Sequence, residues 1–215
     1  MLCATAQLQS GDCNHGDCKD ERKRRTEARA CYRQAFLDRW SPRAFSGEPI
    51  TDKELLGLFE AAKWAPSGSN GQPWRFLYTR RDTGNWPLFF NLLVEFNQGW
   101  VKTAAVLVVI VSRTTFEHND KPCITHAFDT GAAWGYLALQ GSLRGLVVHG
   151  MAGFDYEKAR CDLQIPEGYE VHAMAAIGKP GRKEDLPAKL QEREVPSGRK
   201  QLTQTVCEGK FSFTP

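Results

Sequence analysis

Several chemistries are missing from this 215-residue sequence. No G-x-x-x-x-G-K-[ST] loop is present to cradle a nucleoside triphosphate. No G-x-G-x-x-G follows a strand pattern, and there is neither a G-x-S-x-G elbow nor an H-E-x-x-H helix. The five histidines, His15, His118, His126, His149 and His172, have no paired metal-ligand spacing, so nucleophilic hydrolysis and helix-borne zinc chemistry have little to stand on. Nothing approaches the roughly 20 consecutive apolar residues that cross a bilayer. The longest such run, AAVLVVIV at 104–111, is bounded by Thr103 and Ser112 and reads as a strand buried on both faces. The first residues lack a basic start followed by a long apolar block, which argues against a secretory signal. A net charge of +3 gives no reason to expect nucleic acid as a partner.

The seven cysteines are odd in number and scattered, a usage that fits a reducing cytoplasm better than a disulfide framework. Cys13, His15 and Cys18 lie close together, but no second ligand pair follows at zinc-like spacing. Residues 1–27 are polar, aperiodic and end in the charge run KDERKRR, and so read as a disordered tail. Residues 28–215 read as one domain.

Local patterns divide that domain into elements. A helix is expected over about 28–38, stopping where Pro42 disfavours helix for Ser41. Thr51 and Glu54 form a T-x-x-E capping box, with Ile50 and Leu55 as the hydrophobic staple across it. Leu55, Leu58, Phe59 and Ala62 then follow one helical face, and Pro66 ends the pattern. A strand is expected at 75–80, a helix at 86–100 with Leu88, Leu92 and Phe96 on one stripe, and a strand at 104–111. A glycine-studded helix spans about 124–144 and is ended by Gly145. Gly131, Gly135 and Gly141 each weaken it by about 1 kcal/mol relative to alanine, so it needs close packing, at the domain centre or at a dimer contact. A strand at 146–151, a short helix capped by Asp155 and a strand at 172–180 complete the pattern. This order indicates an α+β or mixed three-layer domain.

Polar residues gather in four places. Arg39, Ser41 and Arg43 alternate in RWSPR; in an extended segment they face one spot suited to an anion. The loop APSGSNGQPW at 65–74 offers backbone N–H groups, hydroxyls and amides that match the mixed donors and acceptors of a heteroaromatic edge. GMAGFD at 150–155 permits close backbone approach at a strand end. GRK at 198–200 offers a further anion contact.

Together, RWSPRAF, APSGSNGQPW, HGMAGFD, IGKP and SGRKQL, in that order over about 36–205, resemble the FMN-dependent nitroreductase family. The resemblance implies a three-layer α/β/α sandwich with a mainly antiparallel central sheet. It implies a homodimer with FMN at the subunit interface, in which the apolar C-terminus embraces the partner. It implies reduction of nitroaromatics, quinones or related conjugated acceptors by NADPH or NADH, in ping-pong hydride transfer through flavin N5. Dehalogenation or flavin fragmentation on the same fold, or non-enzymatic flavin-based redox sensing, are the alternatives.

By the same resemblance, Arg39, Ser41 and Arg43 match a flavin-binding segment, with Arg43 stabilising charge on the flavin. Pro66, Ser67, Gly68 and Asn70 match a loop that reaches the flavin from the partner. Asn97 matches a residue at the ring's polar edge. Met151, Ala152 and Gly153 match a segment against the ring near N5, and Arg199 a phosphate ligand. Two positions depart from the family pattern: Gly68 stands where serine is usual, and Ser197 where a lysine is often found.

Overall fold

The computed structural model describes residues 34–213. The expected tail, its cysteine–histidine group and the residues before Gln34 lie outside them. Chain contacts divide the protein into one unit of Tyr32–Pro196 and another of Met1–Cys31 with Ser197–Pro215.

The larger unit runs α1 (Ala35–Asp38), α2 (Asp52–Lys63), β1 (Trp74–Arg80), α3 (Trp86–Phe90), α4 (Glu95–Val101), β2 (Val106–Arg113), α5 (His126–Leu143), β3 (Val147–Met151), α6 (Tyr156–Asp162), β4 (Tyr169–Gly178) and α7 (Ala188–Gln191). The four strands form one sheet in the order β1-β2-β4-β3, every neighbouring pair antiparallel. Seven of the eight residues of β2 are buried, because helices cover both faces of the sheet. On one face Val106, Val108 and Ile110 meet Leu55 and Leu58 of α2 and Ala133 and Leu137 of α5. On the other, Leu107, Val109 and Val111 meet Phe89, Trp100, Val101 and Ala159 from α3, α4 and α6. Period-2 alternation along one strand therefore feeds two cores, and the layers are α/β/α.

Local chemistry sets several boundaries. At α2, Thr51 Oγ1 accepts from Glu54 N at 3.2 Å and Thr51 N donates to Glu54 Oε2 at 2.7 Å, while Ile50 and Leu55 are buried in one cluster. At the far end of α5, Gly145 takes a left-handed φ of 71°. Leu146 N donates to Gly141 O at 2.8 Å and Gly145 N to Ser142 O at 3.0 Å, the paired bonds of a Schellman stop. Asp155 caps α6 through Lys158 N at 2.9 Å.

Two features depart from local expectation. The helix expected over 86–100 is two helices, because Leu93 pairs with Phe154 and Val94 N donates to Gly153 O at 3.1 Å. Leu88 and Phe96 are consequently exposed and only Leu92 is buried. In β4 the register slips between Ile110↔Ala173 and Val111↔Val171, leaving His172 without a strand partner. This bulge turns His172 toward Ser112 of β2, whose Oγ lies 2.6 Å from His172 Nε2 and 2.7 Å from Nδ1 of His126 at the start of α5.

The glycines of α5 divide between two jobs. A Cβ on Gly141 would lie 2.3 Å from Val148 Cγ2, so this glycine lets α5 press onto β3. Gly131 and Gly135 have open space instead, on a face that also exposes Phe128, Tyr136 and Leu143. In the smaller unit, Phe211 and Phe213 meet edge-on at 5.1 Å.

Candidate functional site

A groove of about 760 Å³ opens between the outer face of α5 and the end of β3, within the range of small-molecule sites. Four stretches of sequence build it. Phe36, Arg39 and Ser41 come from α1 and the segment after it; Trp134, Gly135 and Leu139 from α5; Met151 and Ala152 from the end of β3; and Ala173 from β4. Arg39 Nη1 reaches Ser41 Oγ at 3.4 Å, so a cation and a hydroxyl stand together on one wall. The rest of the lining is aromatic, small or apolar. Such a groove suits a planar ring carrying an anionic arm, since a guanidinium offers forked donors to a phosphate.

Arg43 does not follow its two neighbours. Its guanidinium carbon lies 5.9 Å from the Trp100 ring centroid, and its Nη1 lies 4.0 Å from Glu194 Oε2. It is not among the groove's lining residues. Alternation fails here because the backbone is held from elsewhere. His149 Nδ1 lies 2.7 Å from the Pro42 carbonyl, and as that oxygen only accepts, Nδ1 carries the proton. His149 is buried against Trp100, with ring centroids 4.6 Å apart. Burial holds its pKa below the usual value and the Arg43 charge adds to this, whereas the Pro42 bond and Glu194 oppose it.

Asn97 is buried at α4 and engaged at both ends of its amide. Nδ2 donates to Gly153 O at 2.9 Å, and Oδ1 accepts from Trp100 Nε1 at 3.2 Å. A Cβ on Gly153 would sit 2.6 Å from Asn97 Nδ2. Asn97 therefore braces the strand-end segment, with Met151 and Ala152 just before it on the groove wall.

The loop after α2 has unusual backbone. Ser69, Asn70 and Gln72 all have left-handed φ, at 51°, 53° and 44°. Such residues cost of order 1 kcal/mol or more and tend to cluster at ligand-binding segments. Ser67 Oγ accepts from Gln72 N at 3.1 Å, and Gly68 N donates to Asp129 Oδ2 at 3.0 Å. Thr125 Oγ1 donates to the same carboxylate oxygen at 2.9 Å. A Cβ on Gly68 would lie 2.7 Å from that Thr125 hydroxyl. The space that a serine side chain would need at position 68 thus already holds a hydroxyl, delivered from the start of α5. Pro66, Ser69 and Asn70 are exposed, and none of them lines the groove.

Arg199 belongs to the smaller unit, where its Nη1 donates to the Ser197 and Gly198 carbonyls at 3.0 and 2.9 Å.

The nitroreductase family model matches residues 37–85. An NADH dehydrogenase of Thermus thermophilus is 30% identical over 179 residues, covering 68% of this chain and 85% of that protein. A solved oxidoreductase described as containing FMN is 46% identical, with a TM-score of 0.83, covering 87% of this chain and 96% of its own. The chain belongs to the nitroreductase family. It is by family an NAD(P)H-dependent flavin oxidoreductase. A nitroreductase-family protein of Clostridium difficile, at 16% identity, has the same fold with a TM-score of 0.65 over 85% of this chain.

Within this nitroreductase-family chain, sequence reasoning missed Glu194, Thr125 and Asp129, all of which hold the segments singled out above. Glu194 sits in a charged stretch with several other acids, so its burial left no local sign. Thr125 and Asp129 are four residues apart, the spacing of one helical turn, which is the single signal that could have linked them.

Proposed function

We propose that the chain binds FMN in the groove between α5 and β3 and reduces nitroaromatics, quinones or related conjugated acceptors with NADH or NADPH, as a homodimer in the cytoplasm. One observation carries this reading: Arg39, Ser41, Met151 and Ala152, more than a hundred residues apart in sequence, meet in one groove beside the aromatic Trp134. The donor set fits the group. A guanidinium and a hydroxyl match a phosphate, and an apolar wall with exposed backbone matches a planar ring.

FMN, when bound, supplies the redox chemistry. The chain's own residues bind and orient. Arg39 offsets anionic charge at the groove wall, in a partly dry setting where a fixed cation counts for more than in water. Trp134 and Leu139 exclude water from one side. Asn97 fixes the Gly153 carbonyl, which sets the reach of the Met151–Ala152 backbone. Arg43, held between Trp100 and Glu194, stays clear of the groove lining.

A second copy of the chain completes the account. Phe128, Gly135, Tyr136 and Leu143 form an open stripe on α5, and the strained loop at 66–72 faces solvent. A partner chain that covers the stripe can bring its own loop, with Pro66, Ser67, Gly68 and Asn70, to the groove. Steady-state consumption of NADH or NADPH with a quinone, measured with FMN added, tests the activity. Parallel double-reciprocal lines are expected. No acceptor-dependent consumption would refute it, and a monomer by sedimentation would refute the shared site.

A further inference from the structure

Glu194 follows α7 and is 8% exposed. Burying a carboxylate is costly unless it is hydrogen-bonded. Its Oε1 accepts two successive backbone N–H groups, Arg43 at 2.6 Å and Ala44 at 2.9 Å. Its Oε2 is buried with no hydrogen-bond partner, as is Arg43 Nε; the nearest cation is Arg43 Nη1, at 4.0 Å. From β3, His149 holds the preceding carbonyl, that of Pro42. Gly181 N donates to Ala44 O at 2.9 Å. Three consecutive residues are thus tied to three distant parts of the unit. Directly before them stand Arg39 and Ser41, which line the groove.

We infer that Glu194 is a positioning residue for the cofactor-binding segment, fixing the backbone at Arg43 and Ala44 so that Arg39 and Ser41 meet the groove at a set angle; this rests on the groove being the flavin site. Two jobs are separable in the one carboxylate. The Oε1 atom makes the backbone tie, which a neutral amide oxygen can also make. The negative charge holds the Arg43 guanidinium over Trp100 and away from the groove, so that Arg39 is the cation presented there.

The test uses the full-length protein with Glu194→Ala and Glu194→Gln, read by amide hydrogen exchange without flavin and by FMN titration followed through fluorescence quenching. Loss of hydrogen bonds to a charged acceptor changes an equilibrium by about tenfold or more. Glu194→Ala should therefore raise exchange at Arg43 and Ala44, and the FMN Kd, by about tenfold or more, while β2 amides keep their protection. Glu194→Gln should restore protection at Arg43 and Ala44, because its amide oxygen can accept both N–H groups. It should not restore the full FMN affinity, because it leaves Arg43 without its counter-charge. Glu194→Met, of similar volume but with no oxygen, should restore neither, unlike a purely space-filling role. If Glu194→Ala does not fold, Glu194→Asp replaces it, since the shorter side chain cannot reach both N–H groups.

Unchanged protection at Arg43 and Ala44 would overturn the inference. So would loosening of β2 amides in parallel with them without rescue by glutamine, because Glu194 would then be a general part of the core. A wild-type chain that takes up no FMN would overturn the flavin reading and with it the cofactor role. The flavin-free exchange rates would still decide separately whether the carboxylate holds the segment.

Discussion

Replacing Gly68 by alanine adds one methyl group at a point where the structure leaves no room. The new Cβ would stand 2.7 Å from Thr125 Oγ1 and 3.7 Å from Asp129 Oδ2. The hydroxyl must turn away, and its 2.9 Å bond to Asp129 breaks. Asp129 is buried, so the lost bond is to a desolvated carboxylate, costing about 1.5–3 kcal/mol. Gly68 has no left-handed φ, so alanine also stiffens the unfolded chain, offsetting about 0.4–1 kcal/mol. The net expectation is destabilisation by about 1–2 kcal/mol. Thr125→Ala removes the same hydroxyl and should cost a similar amount. In the double variant the methyl group meets no hydroxyl, so its cost should be close to that of Thr125→Ala alone. Urea unfolding of the four proteins measures this, with a coupling of about 1 kcal/mol or more expected between sites in direct contact. Additivity within about 0.5 kcal/mol would refute the steric argument. The same geometry predicts that Gly68→Ser, which restores the residue usual in the family, weakens the loop rather than adding a flavin contact.

Other expectations follow from the site. Arg39→Ala should raise the FMN Kd by about tenfold or more, the worth of a charge-assisted bond, while the urea midpoint moves little; an unchanged Kd would remove Arg39 from the site. The pH dependence has a definite sign. Burial holds the pKa of both His149 and His172 below the ordinary 6.5. Below about pH 6.5 the unfolded chain therefore binds protons that the folded chain does not, and stability falls as pH drops from there. The urea midpoint should decrease from pH 7.5 to 5.5, and His149→Gln should flatten part of that slope; a midpoint that rises on acidification would contradict the assignment.

Much of the frame was legible because it rests on local chemistry. The capping box at Thr51, the stop at Gly145 and the unbroken apolar run of β2 each carry their cause within a few residues. The break at 91–94 does not, since Leu93 is drawn out of the helix by Phe154, some sixty residues on. The bulge at His172 depends on Ser112 and His126, again far away in sequence. The site divides the same way. Arg39 and Ser41 do share the groove, as their alternation suggested, but Arg43 leaves it because Glu194 and His149 hold the intervening backbone. The glycine at 68 looked like a missing hydroxyl until the fold brought Thr125 beside it. Period and motif locate the segments, and long-range hydrogen bonds decide which way each side chain turns.

The most direct test of the flavin site is an absorbance spectrum of the purified protein incubated with FMN, desalted, and then mixed anaerobically with NADH or NADPH. Retained bands near about 370 and 450 nm that bleach on addition of the nucleotide are expected of a flavin oxidoreductase. A protein that emerges colourless after incubation with FMN would contradict the account.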